Sequence, residues 1–328
     1  MKYRSFKGEQ ISEVGLGTWQ LGSADWGTVN DEEAFAILQS FIDAGGNFID
    51  TADVYGMGIS EKLIGRFLKT ITADKVFVAS KLGRRNDSGN GWPQNFTYDN
   101  MRRHVEESLE HLQVSQLFLE QLHTIPPEYL FKAEVFDHLR RLQQDKLILH
   151  WGASVETTEE ALFCLEQEGL ASLQVIFNIF RQHIADEFFA KAKEKDVAII
   201  VRVPLASGLL TGKFNENTKF AEKDHRNFNA NGESFNAGET FSGIQFSEGV
   251  KLSRLISKRL PDERMAQWAL RWILDHKEVT TIIPGASKVS QVESNVSASD
   301  LPPLPVEAHK NLRELYDNEI KPMIRGRY

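Results

Sequence analysis

The feature that most constrains this chain is an alternation of short apolar runs with amphipathic helical stretches along nearly its whole length. Eight runs have the composition of β-strands, and several are apolar at almost every position, as parallel strands are when helices cover them. Repeated strand–helix units imply a parallel sheet with crossover helices. The runs are "EVGLGTW" (13–19), "NFIDTA" (47–52), "KVFVASK" (75–81), "LFLEQLH" (117–123), "LILHWGAS" (147–154), "LQVIFN" (173–178), "VAIIVRVPL" (197–205) and "TTIIPG" (280–285).

Helix signals lie between these runs. Asp31 is a plausible N-cap of the first helix, Gly45 and Gly46 end it, and Ser60 begins the second. The helical stretches that follow are "YDNMRRHVEESLEHL", "EYLFKAEVFDHLRRLQQ", "TTEEALFCLEQEG", "HIADEFFAKAKEK", "DERMAQWALRWILDH" and "KVSQVESNVSA".

Eight strand–helix units in about 300 residues predict an α/β fold, the closed (β/α)8 TIM barrel. We expect one domain over residues 1–328, with a short N-terminal hairpin and a long loop after strand seven. A doubly wound open sheet is the alternative, but "GLGTWQLG" after the first strand is not the G-x-G-x-x-G turn of that fold.

Composition restricts the function. The net charge of −8 and pI of about 5.7 argue against nucleic acid as the main partner. We expect no signal peptide in "MKYRSFKGEQ", and no apolar run is long enough for a membrane span. Cys164 is the only cysteine and is expected to be a buried core thiol, which suits a cytoplasmic location.

Four ionisable residues of four types stand at or just after the ends of three consecutive predicted strands. Asp50 ends the second strand, Tyr55 follows it, Lys81 ends the third and His123 ends the fourth. Active sites of such barrels lie at the carboxyl ends of the strands, and adjacent strands are about 4.8 Å apart. We therefore expect these side chains to meet at one mouth.

The chemistry of the set favours carbonyl reduction. A free Tyr is a poor acid at neutral pH, but the ammonium of Lys81 would lower the pKa of Tyr55 by stabilising its phenolate. Asp50 would orient the Lys, and His123 could donate a hydrogen bond to a substrate oxygen. These side chains supply no hydride, so a cofactor must. Taken singly, Asp50 could be a cap, Tyr55 a surface residue, Lys81 a solvated lysine and His123 a core histidine.

The sequence resembles the aldo-keto reductases, NADPH-dependent (β/α)8 barrels that include the potassium-channel β-subunits. The resemblance rests on "GLGTWQLG", "NFIDTADVYGMGISEKLIG", "VFVASKLG", "QLH", "WGAS", "PLASGLLTGKF" and "IIPGASKVSQVESN". It implies that Tyr55 is the proton donor, that Lys81 and Asp50 tune it, and that His123 orients the carbonyl.

The resemblance also implies an NADPH (NADP+) site and no metal site. Departures from the family pattern fall at Val155, where an Asn is common, and at Ser294, where an acid is common. Lys288 favours NADPH over NADH. The implied cofactor contacts are Gly17, Thr18, Trp19, Asp50, Ser154, Gln174, Arg202, Pro204, Leu205, Ser207, Gly208, Lys213, Arg226, Gly285, Ala286, Ser287, Lys288, Gln291 and Asn295.

Arg202 stands where the family often has an aromatic residue that stacks on the nicotinamide. Its guanidinium could stack there, pair with a substrate anion, or form a structural ion pair. Arg84 and Arg85 are expected at a solvated rim, where an arginine could also meet an anionic substrate. Trp26 and Trp92 are either walls of a substrate pocket or ordinary loop residues. The segment 206–247 is a long loop, of a kind that is usually functional or disordered.

The sequence therefore predicts an NADP-dependent oxidoreductase that reduces an aldehyde or ketone. The alternatives are an NADPH-binding partner subunit with weak activity, which in the channel relatives has an Asn at the position of His123, and a barrel lyase or metal hydrolase. The specific carbonyl substrate and the oligomeric state stay open.

Overall fold

The computed structural model describes residues 1–22, 30–72, 75–85 and 92–328. Within these ranges, a two-stranded antiparallel hairpin precedes a parallel sheet of eight strands that follow one another in chain order. The strands are β1 (Tyr3–Phe6), β2 (Glu9–Ser12), β3 (Leu16–Gly17), β4 (Phe48–Asp50), β5 (Phe77–Leu82), β6 (Leu117–His123), β7 (Ile148–Ser154), β8 (Ser172–Ile176), β9 (Ala198–Arg202) and β10 (Val279–Ile282).

The sheet closes on itself. The amide of Gly15 donates to the carbonyl oxygen of Ile282 at 2.8 Å, and Gly17 donates to Pro284 at 3.2 Å. These bonds join the first barrel strand to the last, so no strand edge is left open at this seam. The predicted (β/α)8 barrel is confirmed, as is the N-terminal hairpin.

Helices cover the outside of the barrel. The eight predicted helices are present in the described residues, one of them split in two. Five further helices there were not predicted, namely those at Trp19–Gly22, Trp92–Asn95, His225–Phe228, Phe246–Ser257 and Val306–Leu315. No helix in the described ranges is long and apolar enough to cross a membrane. The helices are α1 (Trp19–Gly22), α2 (Asp31–Asp43), α3 (Ile59–Leu68), α4 (Trp92–Asn95), α5 (Tyr98–Leu112), α6 (Pro127–Leu130), α7 (Glu134–Gln144), α8 (Thr158–Leu165), α9 (Ile184–Glu194), α10 (His225–Phe228), α11 (Phe246–Ser257), α12 (Met265–Leu274), α13 (Val289–Val296) and α14 (Val306–Leu315).

Two helix boundaries differ from the sequence prediction. The N-cap of α2 is Asn30 and not Asp31, because the Asn30 side chain accepts from the amide of Glu33 while the Glu33 side chain accepts from the amide of Asn30. The stretch expected as one helix over 128–144 is split, because Ala133 adopts a left-handed conformation with φ of 61° between α6 and α7.

The barrel interior changes character from one end to the other. At the amino end it is apolar: Phe6 and Ile11 of the hairpin pack against Phe48, Phe77 and Leu119. At the carboxyl end the inward side chains are polar, because Asp50, Lys81, Gln121, Gln174 and Arg202 replace the hydrophobic ones. The hairpin therefore closes the amino end of the barrel, and the polar carboxyl end is the candidate location of the active site. Cys164 is buried outside the barrel on α8, as predicted.

The long connection from β9 to α11 is ordered around its own aromatic cluster. The rings of Phe214, Phe220, Phe241 and Phe246 pack with centroids 5.1–5.8 Å apart. Short helical turns interrupt it, namely Ala206–Thr211, α10, Ala237–Glu239 and Phe241–Gly243. The unusual phenylalanine content of this segment thus builds a small core of its own.

Candidate active site

The barrel register places the predicted strand-end residues at successive heights. Asp50 pairs with Ala79, Lys81 with Gln121 and His123 with Ser154. Because a residue two positions further along a strand faces the same side, Asp50, Lys81 and His123 all face the interior and rise stepwise toward the mouth. The stagger between neighbouring strands of a barrel produces this staircase.

Lys81 is the buried centre of the group, with 1% of its side chain exposed. Its Nζ donates to Oδ1 of Asp50 at 2.5 Å, to the carbonyl oxygen of Thr51 at 2.7 Å and to the hydroxyl of Tyr55 at 3.4 Å. Burial works to lower the pKa of Lys81, but the charge of Asp50 and the hydrogen bonds to Asp50 and Tyr55 outweigh it and raise that pKa. The ammonium is therefore charged at neutral pH.

Asp50 is held from a second direction by two amides. Gln174 donates to Oδ2 of Asp50 at 2.8 Å, and Gln121 donates to the same oxygen at 3.3 Å. With Lys81 on Oδ1, both carboxylate oxygens have donors, as a buried charge requires. Gln174 thus donates a hydrogen bond to Asp50, a contact that the sequence did not suggest.

Tyr55 reaches this group from the turn after β4. Gly56 makes the turn possible, because its φ is 61° and a Cβ there would lie 1.8 Å from the carbonyl oxygen of Gly22. The Tyr55 ring stacks on Trp19 with centroids 6.2 Å apart and meets His123 edge-on at 5.8 Å. The residues expected to meet at one mouth therefore do so.

The direction of the Tyr55 pKa shift differs from the sequence expectation. Burial, the largest effect, raises the pKa of Tyr55, and the charge of Asp50 adds to it. Lys81 acts downward, as expected, but does not prevail. Tyr55 is thus a neutral phenol with its proton in place, and Lys81 limits the rise in pKa that burial would otherwise cause.

His123 is neutral for a related reason. Burial lowers its pKa well below the usual 6.5, and the cations Arg84, Lys81 and Arg202 act in the same direction. Its Nδ1 is buried without a hydrogen-bond partner among the described residues. A neutral imidazole at the mouth can donate one hydrogen bond and does not compete with Tyr55 for the proton.

A cavity of about 730 Å³ extends from these residues along the carboxyl ends of the strands. Lys81 lies behind its wall, and Asp50, Tyr55 and His123 border it. Most of the residues implied as cofactor contacts also border it, namely Gly17, Thr18, Trp19, Ser154, Gln174, Arg202, Pro204, Leu205, Ser207, Gly208, Lys213, Arg226, Gly285, Ser287, Gln291 and Asn295.

Ala286 and Lys288 are the exceptions. Ala286 is buried away from the cavity, and Lys288 is exposed to solvent just before α13. Lys288 has an extended backbone at the N-cap of α13 and does not border the cavity, although its neighbours Ser287 and Gln291 do. Of the implied cofactor contacts, only Ala286 and Lys288 therefore do not border the cavity.

The structure adds wall residues that the sequence did not indicate. Glu239 comes from the long loop, and Glu263 and Arg264 come from the segment before α12. No periodicity or motif marks them, because each reaches the cavity through a loop path. Arg264 forms an ion pair with Asp262 at 2.7 Å and borders the cavity, as Ser290 and Gln291 do.

The three arginines singled out from sequence are all paired. Arg202 lies 3.5 Å from Glu239 and donates to the carbonyl oxygen of Val155. Arg84 lies 3.2 Å from Glu239, and Arg85 lies 2.5 Å from Glu107. The expectation of a solvated rim at Arg84 and Arg85 is therefore wrong. Trp26 lies outside the described residues, as does the side chain of Trp92.

A closed parallel barrel with buried ionisable groups and a long cavity at the carboxyl ends of its strands has the arrangement of a (β/α)8-barrel enzyme. The chain belongs to the Aldo/keto reductase family, whose profile matches residues 13–317. Membership implies oxidoreductase activity on carbonyl compounds.

Individual relatives agree. The chain is 28% identical to "Aldo-keto reductase YhdN" of Bacillus subtilis, over 90% of this chain and 87% of that protein. Among solved structures, "glycerol dehydrogenase AKR11B4" from Gluconobacter oxydans superposes with a TM-score of 0.78 at 28% identity, covering 97% and 96% of the two chains. The holo form of "aldo-keto reductase AKR11C1" from Bacillus halodurans gives 0.77 at 26% identity, covering 96% of each chain.

Proposed function

We propose that this protein reduces an aldehyde or ketone to an alcohol with NADPH, and that Tyr55 donates the proton. The observation that carries this is the arrangement of one neutral phenol on the cavity wall, 3.4 Å from a buried ammonium that is itself 2.5 Å from a carboxylate. No other described tyrosine combines the cavity with such a pair.

The residues present fit a nicotinamide cofactor. Ser154 has a buried hydroxyl with no hydrogen-bond partner among the described residues, on the cavity wall beside Gln174. An unpaired buried hydroxyl favours a ligand with amide donors and acceptors. Lys213 and Arg226 border the same cavity and could hold phosphate charge. When bound, the reduced nicotinamide supplies the hydride.

The side chains of the chain perform the remaining steps. His123 donates a hydrogen bond to the carbonyl oxygen and fixes its position. Tyr55 donates its proton to that oxygen as negative charge develops. Lys81 lies beside the resulting phenolate and stabilises it, and Asp50 keeps Lys81 in place. The closed wall around Trp19 and Tyr55 limits water near the reacting atoms.

The choice of NADPH over NADH rests on the cations of the cavity, because Lys288 does not border it. Arg264, which borders the cavity as Ser290 and Gln291 also do, is the candidate we propose for a 2′-phosphate. One relative, 25% identical over 89% of this chain and 90% of its own length, is named "NADH-specific methylglyoxal reductase" from Escherichia coli. Similarity to the family therefore does not decide between NADPH and NADH.

We also expect a cytoplasmic location, since one buried cysteine suits a reducing compartment.

Tyr55→Phe tests the proposal. Removing the hydroxyl takes away the proton donor, so kcat for aldehyde reduction should fall about 100- to 10,000-fold. NADPH binding, followed by quenching of protein fluorescence, should change little. A mutant with wild-type turnover and normal NADPH affinity would show that Tyr55 is not the acid. Failure of the wild-type protein to bind either NADPH or NADH would overturn the cofactor assignment.

A partner subunit with weak activity is the second candidate. A relative 26% identical over 93% of both chains is named "Probable voltage-gated potassium channel subunit beta" from Oryza sativa. NADPH binding with no turnover across a panel of aldehydes, ketones and sugars, followed at 340 nm, would favour this candidate. His123 favours the enzyme, because it offers the carbonyl a hydrogen bond.

A further inference from the structure

Four charged side chains form a cluster at the end of the cavity beside His123. We call Arg84, Arg202, Glu156 and Glu239 the arginine–glutamate cluster. Arg84 donates to the carbonyl oxygen of His123 at 3.0 Å, which anchors the cluster to the residue expected to hold the substrate carbonyl. Glu239 lies between the two guanidinium groups, 3.2 Å from Arg84 and 3.5 Å from Arg202.

Arg202 is the arginine of this cluster that borders the cavity and still has an unpaired hydrogen-bond donor. Its side chain is 10% exposed, and it borders the cavity together with Glu239 and His123. It contacts Glu239 and the carbonyl oxygen of Val155, and its Nε is buried with no hydrogen-bond partner among the described residues. A buried guanidinium with unused donors favours an anionic acceptor.

The charge around the cluster is not balanced. Arg181 lies behind it, donating to the carbonyl oxygen of Glu156 at 3.3 Å, so three guanidinium groups stand beside two side-chain carboxylates. Arg327 and Glu160 next to them form a pair of their own. Burial, followed by the charge of Glu239, raises the pKa of Glu156, which weakens its value as a counter-ion. The cations also lower the pKa of His123, so their field reaches the carbonyl site.

We propose that the carbonyl substrate carries a carboxylate and that Arg202 binds it, with Glu239 holding that guanidinium in place until the substrate arrives. The proposal rests on the proposed function. The carboxylate takes no part in the reaction: the carbonyl carbon gains the hydride from reduced nicotinamide, the oxygen gains the proton of Tyr55, and oxidised nicotinamide leaves.

The test compares each carboxylate with its own neutral ester. Glyoxylate, pyruvate and 4-oxobutanoate are assayed against their methyl esters with NADPH, and the ratio of kcat/KM for acid over ester is recorded. We expect a ratio of about ten or more for at least one pair, the size of a charge-assisted contact. Reduction of the esters with no preference for any acid would overturn this inference and leave the proposed function standing. No reduction of either kind would count against the proposed function.

Two variants identify the residues. Arg202→Gln should lower the acid-to-ester ratio about tenfold or more, and Glu239→Gln should raise it because a competing carboxylate is gone. The ratio is used because any effect on cofactor binding is common to both substrates and cancels. Arg254→Gln, at an exposed arginine that pairs with Glu216 and does not border the cavity, is the matched control and should leave the ratio unchanged.

Binding without turnover gives an independent readout. Succinate, which has no carbonyl to reduce, should bind the complex with oxidised cofactor in a calorimetric titration, and dimethyl succinate should not. Arg202→Gln should abolish the succinate signal. A ratio unaltered by Arg202→Gln, or succinate binding that survives it, would show that the anion is held elsewhere.

Discussion

The Lys81–Asp50 pair is the residue-scale feature that everything else in the site depends on. Both side chains are almost fully buried, at 1% and 2% exposure. Two charges in such a place cost free energy to desolvate. Their mutual contact, the amides of Gln121 and Gln174 on Asp50, and the oxygens of Thr51 and Tyr55 on Lys81 compensate. These contacts hold the Lys81 ammonium in a fixed position beside Tyr55.

Lys81→Met should destabilise the protein strongly, because it leaves Asp50 as a buried charge with no cation. The expected loss in the free energy of unfolding is about 3–5 kcal/mol, measured by urea denaturation. The double variant Lys81→Met with Asp50→Asn should recover at least about 1 kcal/mol of that loss, because the lone charge is gone.

An exposed pair provides the control for that experiment. Lys191 and Glu187 are 2.7 Å apart on α9 but about half exposed, so Lys191→Met should cost about 0–1 kcal/mol. If Lys81→Met cost no more than Lys191→Met, the buried pair would not be structurally important. If the double variant were no more stable than the single one, the unpaired charge would not explain the loss.

At the scale of elements, the C-terminal tail fastens the long loop over the cavity. Arg325 donates from its backbone and its Nε to the carbonyl oxygen of Gly243 at 3.1 and 3.0 Å, and from its other nitrogens to Asn231 and Ala230. The same loop carries Glu239 and His225 into the cavity wall. The tail thus packs against the long loop.

Arg325→Ala should loosen that loop locally. The substitution removes the three hydrogen bonds of the Arg325 side chain, each worth about 0.5–1.5 kcal/mol, and keeps the backbone bond to Gly243, so amide exchange across residues 229–243 should speed up about tenfold or more. Hydrogen–deuterium exchange read by mass spectrometry measures this. Arg254→Ala, which breaks a half-exposed pair with Glu216 at 2.6 Å in the same connection, is the control. Equal exchange in the two variants would mean that the tail does not restrain the loop.

At the scale of the whole molecule, the barrel is apolar at one end and charged at the other. Phe6 of the hairpin is 1% exposed and packs among the residues that close the amino end. The chemistry can use polar interior side chains at the carboxyl end because this apolar plug and the helix-facing core supply the packing.

Phe6→Ala should therefore lower the free energy of unfolding by about 3–5 kcal/mol, the usual cost of a large cavity in a core. Val306→Ala, at a side chain 85% exposed, should change it by less than about 0.5 kcal/mol. Both are measured by the same denaturation experiment. NADPH affinity should be unaffected by Phe6→Ala in the folded state, because the hairpin lies at the end of the barrel opposite the cavity.

The sequence by itself determined the barrel and the meeting of Asp50, Tyr55, Lys81 and His123. Strand and helix periods are local properties, and parallel strands bring their carboxyl ends to one rim, so strand-end residues can be read from the chain. Only the tertiary structure decided which loop residues complete the wall, such as Glu239 and Arg264, and which expected contact, Lys288, does not border the cavity.

The tertiary structure also decided the protonation of the site. Lys81 was expected to lower the pKa of Tyr55, yet burial raises it, and the residues that bury Tyr55 come from separate parts of the chain. Desolvation depends on everything packed around a group, and pairwise contacts such as Arg202 with Glu239 join distant segments. Neither desolvation nor a contact between distant segments has a local signal in the sequence. The types of the site residues were therefore predictable, but the directions of their pKa shifts were not.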